Sequence, residues 1–252
     1  MKISVQKSSL KDILPLRNLF LQETNFQIRY NACHERGWTD SYLIKFDGKP
    51  VGYGSVMGQE IKNRDTIFEF YLTPQHRRFA SSVFSEFIQS AGVPLIECQS
   101  NDFLLTTMLY EFAENVNADV VLFEEHAMTN LTIPGAVFRR RRKDETFYCN
   151  RRQDDPADFV VEIDGEIVAS GGFLLHYNMP FADLYMETCE GFRRRGLGSY
   201  ILQEIKKECY LAGRVPAARC NIGNFASRGA LTKAGLRSCG FMLKGKIKSF
   251  KS

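Results

Sequence analysis

Hydrophobic and polar positions alternate along "YLIKFDGKPVGYGS" (Tyr42 to Ser55), break at Asp47-Gly48 and then resume. This is the pattern of a β-hairpin, because Asp-Gly tolerates the positive φ that a tight two-residue turn requires. The pattern recurs 117 residues later in "FVVEIDGEIVASGG" (Phe159 to Gly172), with Asp164-Gly165 over Asp47-Gly48. Further on, at a shift of 116, "FYLTPQHRRFASS" (Phe70 to Ser82) lies over "METCEGFRRRGLG" (Met186 to Gly198). Each of these runs from a strand through a basic turn into a segment of helical period. Val83, Phe84, Phe87 and Ile88 form the apolar stripe of the first helix. Leu197, Ile201, Leu202 and Ile205 form that of the second, with Lys206 and Lys207 towards its C-terminal end. A strand-like run follows each helix, "VPLIECQ" and "VPAARCN", and then another helical segment, "DFLLTTMLYEFAENV" and "NFASRGALTKAG". Hairpin, strand, helix, strand, helix is thus written twice, which predicts an α/β (α+β) protein with a mixed sheet in each half.

The halves are unequal. The first has about 40 residues before its hairpin, including a predicted helix around Leu10 to Gln22. "VFRRRRKDE" (Val137 to Glu145) is expected to be the return strand of the first half, and only about 15 residues then precede the second hairpin. Two domains are expected, residues 1–143 and 144–252, the C-terminal one lacking the first helices of the unit and leaning on its partner.

With 44 % hydrophobic residues in 252, the chain can build real cores. It has no apolar N-terminal run of signal-peptide length, and no segment reaches the roughly 18 to 20 apolar residues of a membrane span. A cytoplasmic protein without a membrane partner is expected. The seven cysteines include no CxxC pair and suit reduced thiols, and no metal site is expected. Net charge is +4, but from Glu190 onwards there are 14 Lys and Arg against 3 Asp and Glu, so the rest of the chain is net acidic. Such a segment suits a polyanion, either nucleic acid or a small cofactor carrying several phosphates.

"EGFRRRGLGS" (Glu190 to Ser199) opens this basic region. A helix begins with unpaired backbone N–H groups and a partial positive charge, which phosphate oxygens satisfy. Glycine at 196 and 198 removes the Cβ atoms that would hold a pyrophosphate away, and the arginines add attraction. The spacing is neither that of a nucleoside triphosphate P-loop nor the GxGxxG dinucleotide fingerprint. Arg193-x-x-Gly196-x-Gly198, followed about 25 residues later by "NFASRGALTKAGL" (Asn224 to Leu236), resembles the coenzyme-binding core of the GCN5-related N-acetyltransferases, the GNAT family. The resemblance is strong in the second half and extends through the repeat, more weakly, to most of the chain. It implies a tandem protein whose co-substrate is acetyl-CoA. By this resemblance Arg193, Arg194, Arg195, Gly196, Leu197, Gly198 and Ser199 bind the pyrophosphate. Met186 and Thr188 sit on the strand beside pantetheine, with Asn224, Ser227 and Lys233 on the following helix. In the first half Ala80 and Ser82 replace the two glycines, so that half is expected to be degenerate and to bind no cofactor.

The resemblance further implies direct transfer of an acetyl group to a primary amine of a small molecule or peptide. Glu187 is the first candidate for the base; His176 and Tyr185 are alternatives. The family's helix tyrosine, which can protonate the departing sulfur, is replaced here by Leu231. A non-catalytic acyl-CoA-binding module or sensor is the alternative reading. Nucleic acid is not the expected partner, because diffuse backbone contact needs no glycines and there is no aromatic platform for bases. Sequence leaves the acceptor, the acyl group and the oligomeric state open.

Overall fold

The computed structural model describes residues 2–28, 30–58, 60, 62–143, 145 and 158–248. In chain order the elements are β1 (Ile3–Ser8), α1 (Leu10–Leu21), α2 (Tyr30–Glu35), β2 (Thr39–Phe46), β3 (Lys49–Met57), β4 (Thr66–Leu72), α3 (Ala80–Ala91), β5 (Leu95–Gln99), α4 (Phe103–Phe112) and β6 (Ala113–Glu125). They continue with β7 (Val137–Arg140), β8 (Phe159–Ile163), β9 (Glu166–Leu174), β10 (Phe181–Thr188), α5 (Leu197–Leu211), β11 (Val215–Asn221), α6 (Phe225–Lys233) and β12 (Leu236–Ile247). Two compact units result. One comprises residues 1–26, 30–119 and 240–252, the other residues 27–29 and 120–239. The sequence pattern put the junction at 143/144. The units part instead within β6, between Asp119 and Val120, and again within β12, between Cys239 and Gly240.

In the first unit the strand order is β1-β2-β3-β4-β5 followed by the end of β12, where Met242–Lys246 pair antiparallel with β5. Only β4 and β5 run parallel, and they pair at Thr66–Ile67 and Leu95–Ile96 before diverging. Alternation along the strands buries both faces. Leu43, Tyr53 and Tyr71 pack with Ile13, Leu16 and Phe20 of α1, while Tyr42, Ile44, Phe70 and Leu72 pack with Val83, Phe84 and Phe87 of α3. A capping box between Ser9 and Asp12 starts α1, and left-handed Gly92 ends α3. The predicted helix through "AENV" stops at Phe112; Ala113 is extended and opens β6.

The α1/α2 face is joined to the sheet by one fully buried carboxylate. Glu69 on β4 accepts hydrogen bonds from the Arg17 guanidinium (2.9 Å from Nη2) and the Tyr53 hydroxyl (3.0 Å), and meets His34 Nε2 at 3.0 Å. Burial alone would raise this carboxyl, but the charges of Arg17 and His34 and the hydrogen bonds outweigh it and hold it at about 2.

In the second unit the order is the end of β6, then β11-β10-β9-β8-β7. Val137–Arg140 pairs with β8 and so is an edge strand of this unit, not the return strand of the first half. Both hairpin turns have positive φ at both central residues, Asp47 and Gly48 at 47° and 82°, Asp164 and Gly165 at 50° and 82°. A bulge precedes each turn at equivalent positions, Ile44/Lys45 and Val161/Glu162, so the repeat extends to the irregularity of the strand. The core joins Val121, Phe123, Val161, Val168, Ala182 and Leu184 to Leu197, Ile201, Leu202 and Ile205 of α5. Among the described residues no helix lies between β7 and β8. Five cysteines, Cys33, Cys98, Cys209, Cys220 and Cys239, are free thiols. Cys189 is disulfide-bonded, a departure from the expected reduced set.

Replacing Glu69 by Gln leaves the Arg17 charge buried without its counter-ion, and we expect a loss of about 3–5 kcal/mol by urea denaturation. Because this carboxyl is depressed from its ordinary value of 4.5 to about 2 on folding, its stabilisation is complete above pH 4.5. It is lost as pH falls towards 2. Acid titration of the wild type followed by circular dichroism should show this, and the variant should lack that part of the dependence.

Candidate functional site

β10 and β11 run parallel but pair only at Phe181–Asp183 with Val215–Ala217. Beyond that each keeps its outer neighbour: Asp183–Thr188 pair with β9, and Ala217–Asn221 with β6. The strands therefore separate without either losing its place in the sheet, and the facing backbone edges open into a cleft. Faces are fixed by the pleat. A side chain at Gly171 would strike Ile205 of α5, whereas one at Gly172 would strike the Tyr185 ring, so Tyr185 and its alternates Asp183 and Glu187 lie on the face away from α5.

After β10 the chain makes a short turn at Glu190–Phe192 and enters α5 through two left-handed residues, Arg194 (φ 63°) and Gly196 (φ 83°). Gly196 is the N-cap of α5. A Cβ there would lie 3.3 Å from Ile133 Cδ1, with Lys233 Nζ at 3.9 Å, so the glycine serves both the conformation and the approach. At Gly198 a Cβ would meet Met186 Cε at 3.1 Å. Tyr200 N is the first amide of α5 to bond back, to Gly196 O at 3.0 Å, so the amides of Leu197, Gly198 and Ser199, all residues that line the opening, have no acceptor one turn back in the helix.

α6 closes the other side. Its N-cap Asn224 accepts a hydrogen bond from Ser227 N at 3.0 Å through its side-chain oxygen. The cleft has a volume of about 770 Å³ and is lined by Met186, Glu187, Thr188, Arg193, Arg194, Gly196, Leu197, Gly198, Ser199, Asn224, Ser227 and Lys233, together with Ala226, Gly229 and Ala230. One carboxylate oxygen of half-buried Glu187 is itself buried and has no hydrogen-bond partner among the described residues.

Of the residues expected from sequence, Arg195 stands outside, its guanidinium over the Phe192 ring (5.1 Å). His176 is joined to Asp183 (3.1 Å) and does not line the cleft, nor does Tyr185. Leu231 is buried in the core. Sequence reasoning missed Ala226, Gly229 and Ala230, small residues of α6 that line the cleft. It also missed Ile133, for which no motif gives a signal.

The first half offers a comparison within the same chain. Where Gly196 is left-handed, Ala80 has φ −54° and is already the first residue of α3, reached through a 3₁₀ turn at Pro74–Phe79. No residue of that turn has positive φ. Arg77 is occupied by Leu72 O (3.0 Å), by Glu23 and by the Tyr71 ring.

Residues 9–126 match the family model described as an acetyltransferase (GNAT) domain, and residues 124–236 match that of the acetyltransferase (GNAT) family. Similar solved structures include a GNAT-family acetyltransferase from Colwellia psychrerythraea (13% identity, 98% of this chain and 100% of that one, TM-score 0.74). Another is a GCN5-related N-acetyltransferase from Sphaerobacter thermophilus (13%, 98% and 96%, TM-score 0.61). A third is a tandem GNAT protein from the clavulanic acid biosynthesis pathway (10%, 98% and 99%, TM-score 0.62). No curated protein matches the chain. With both halves matched, the chain belongs to the GNAT family and carries two of its domains in tandem.

The two glycines should respond differently to alanine. Gly196→Ala forces a left-handed alanine against Ile133 and should cost about 1–3 kcal/mol, a Tm drop of several degrees. Gly198 lies within α5 and faces the flexible Met186 side chain, with Ala230 Cβ at an ordinary contact distance of 3.6 Å, so Gly198→Ala should stay within about 1 kcal/mol of wild type in the same thermal scan.

Proposed function

We propose that the second half binds acetyl-CoA and transfers the acetyl group to a primary amine of a small molecule or peptide while both are held in the cleft. What supports this reading is the convergence on one cleft of the left-handed glycine loop, the start of α5, one face of α6 and a buried Glu187 oxygen that has no partner among the described residues. The coenzyme supplies an activated acetyl thioester. On this reading the α5 amides, Arg193, Arg194 and Lys233 hold its phosphates, and Met186, Thr188, Asn224 and Ser227 border its arm. Glu187 takes the proton from the incoming amine, directly or through a water. It ranks ahead of His176 and Tyr185 because it borders the cleft. Orientation of two reactants is worth effective molarities of up to about 10⁵–10⁸ M, and a base adds about 10²–10⁴. No helix among the described residues is long and apolar enough to cross a membrane; the reading places the activity in the cytoplasm.

Burial of Leu231 where the family's acid would stand is the observation favouring a non-catalytic acyl-CoA sensor. Calorimetry with acetyl-CoA on wild type and Gly196→Trp, followed by an amine panel scored for free thiol, separates the two. We expect binding by the wild type alone, and a fall in turnover of about 10²–10⁴ in Glu187→Gln with coenzyme affinity kept. Equal binding by Gly196→Trp would refute the placement of the cradle. Binding without thiol release from any amine would leave the sensor.

A further inference from the structure

Lys206 lies in the middle of α5 and is completely buried, although its pairing with Lys207 in the sequence suggests a solvated helix end. Its three ammonium hydrogens have three acceptors: Ala127 O at 2.7 Å, Ala234 O at 2.8 Å and Glu125 Oε1 at 2.9 Å. Those acceptors belong to the exit of β6, the segment after it and the C-cap of α6. One turn earlier on α5, Gln203 accepts from Leu131 N (2.6 Å) and the Thr129 hydroxyl (2.8 Å) and donates to Leu131 O (3.1 Å). The segment so held reaches Ile133, beside Gly196. Close approach is completed at left-handed Gly235, where a Cβ would collide with Ala127 O and whose carbonyl accepts from His126 N and Ala127 N.

α6 needs this tie because it has little apolar anchorage. Of its nine residues only Leu231 is buried. Yet α6 supplies Ala226, Ser227, Gly229, Ala230 and Lys233 to the cleft, facing a loop that belongs to α5. We infer that Lys206 is a positioning residue for coenzyme binding: it sets the spacing between the α5 and α6 walls of the cleft without touching the ligand. The inference rests on the cleft being the acetyl-CoA site.

The test compares wild type with Lys206→Met and with the double variant Lys206→Met/Glu125→Leu, because a buried ion pair replaced by apolar residues usually keeps the fold. Affinity for acetyl-CoA is read by calorimetry and Tm by thermal scan, and Ile201→Val serves as a core control that weakens packing elsewhere on α5. We expect Kd to rise about tenfold in both Lys206 variants and to stay unchanged in the control. Amide exchange in α6 should quicken in the Lys206 variants alone. If an amine substrate is in hand, KM for acetyl-CoA should rise with kcat nearly kept. Binding within twofold of wild type by a folded Lys206 variant overturns the inference, as does an equal loss in the Ile201→Val control. Failure of the wild type itself to bind acetyl-CoA would instead sink the functional reading beneath it.

Discussion

The separation of β10 from β11 after Asp183 and Ala217 is the constraint on which the site depends. Unpaired backbone groups at a sheet's interior are costly, and strands normally stay paired to avoid them. Here the cost is limited because each strand has a full antiparallel partner on its outer side, β9 for one and β6 for the other. The opening is therefore built into the sheet and does not wait for a ligand to force it. It presents main-chain donors and acceptors along one edge and the Glu187 carboxylate beside them, with the start of α5 at its end.

The duplicated chain shows which part of the arrangement the loop before the helix decides. In the first half β4 and β5 part in the same way, after Ile67 and Ile96. What differs is the entry to the helix. With alanine at position 80 the backbone passes directly from a 3₁₀ turn into α3, and no left-handed residue turns the amides outward. The same half uses the sheet face around Glu69 to bury Arg17 and His34, so its interior is committed to holding α1 and α2. The two copies of the shared fold thus differ in the conformation of the loop that enters the helix and in what covers the sheet.

Much of this was legible in the chain. The hairpins, their Asp-Gly turns, the apolar stripes of α3 and α5 and the glycine loop all follow from local period and local stereochemistry, which neighbouring residues alone dictate. The loop residues that line the cleft were legible for the same reason, since a helix N-terminus and its preceding turn are contiguous. The assignments that failed are those that depend on distant pairing. Val137–Arg140 carries nothing in its own pattern to say that its partner is β8 rather than a strand of the first half. Likewise "AENV" has helix formers but is drawn into β6 by the sheet. The end of β12 pairs with β5, across more than 140 residues, and no local signal marks it.

Sequence by itself determined most of the elements, their twofold repetition and the left-handed glycine loop that opens α5, because these rest on side-chain period and on the φ that glycine permits. Tertiary structure decided which carboxylate borders the cleft and withdrew His176 to Asp183. It also carried a lysine that reads as surface into the core. Those outcomes depend on where elements far apart in the chain come to lie. The charge of Lys206 is tolerable only where Ala127, Ala234 and Glu125, from three separate segments, all meet its ammonium.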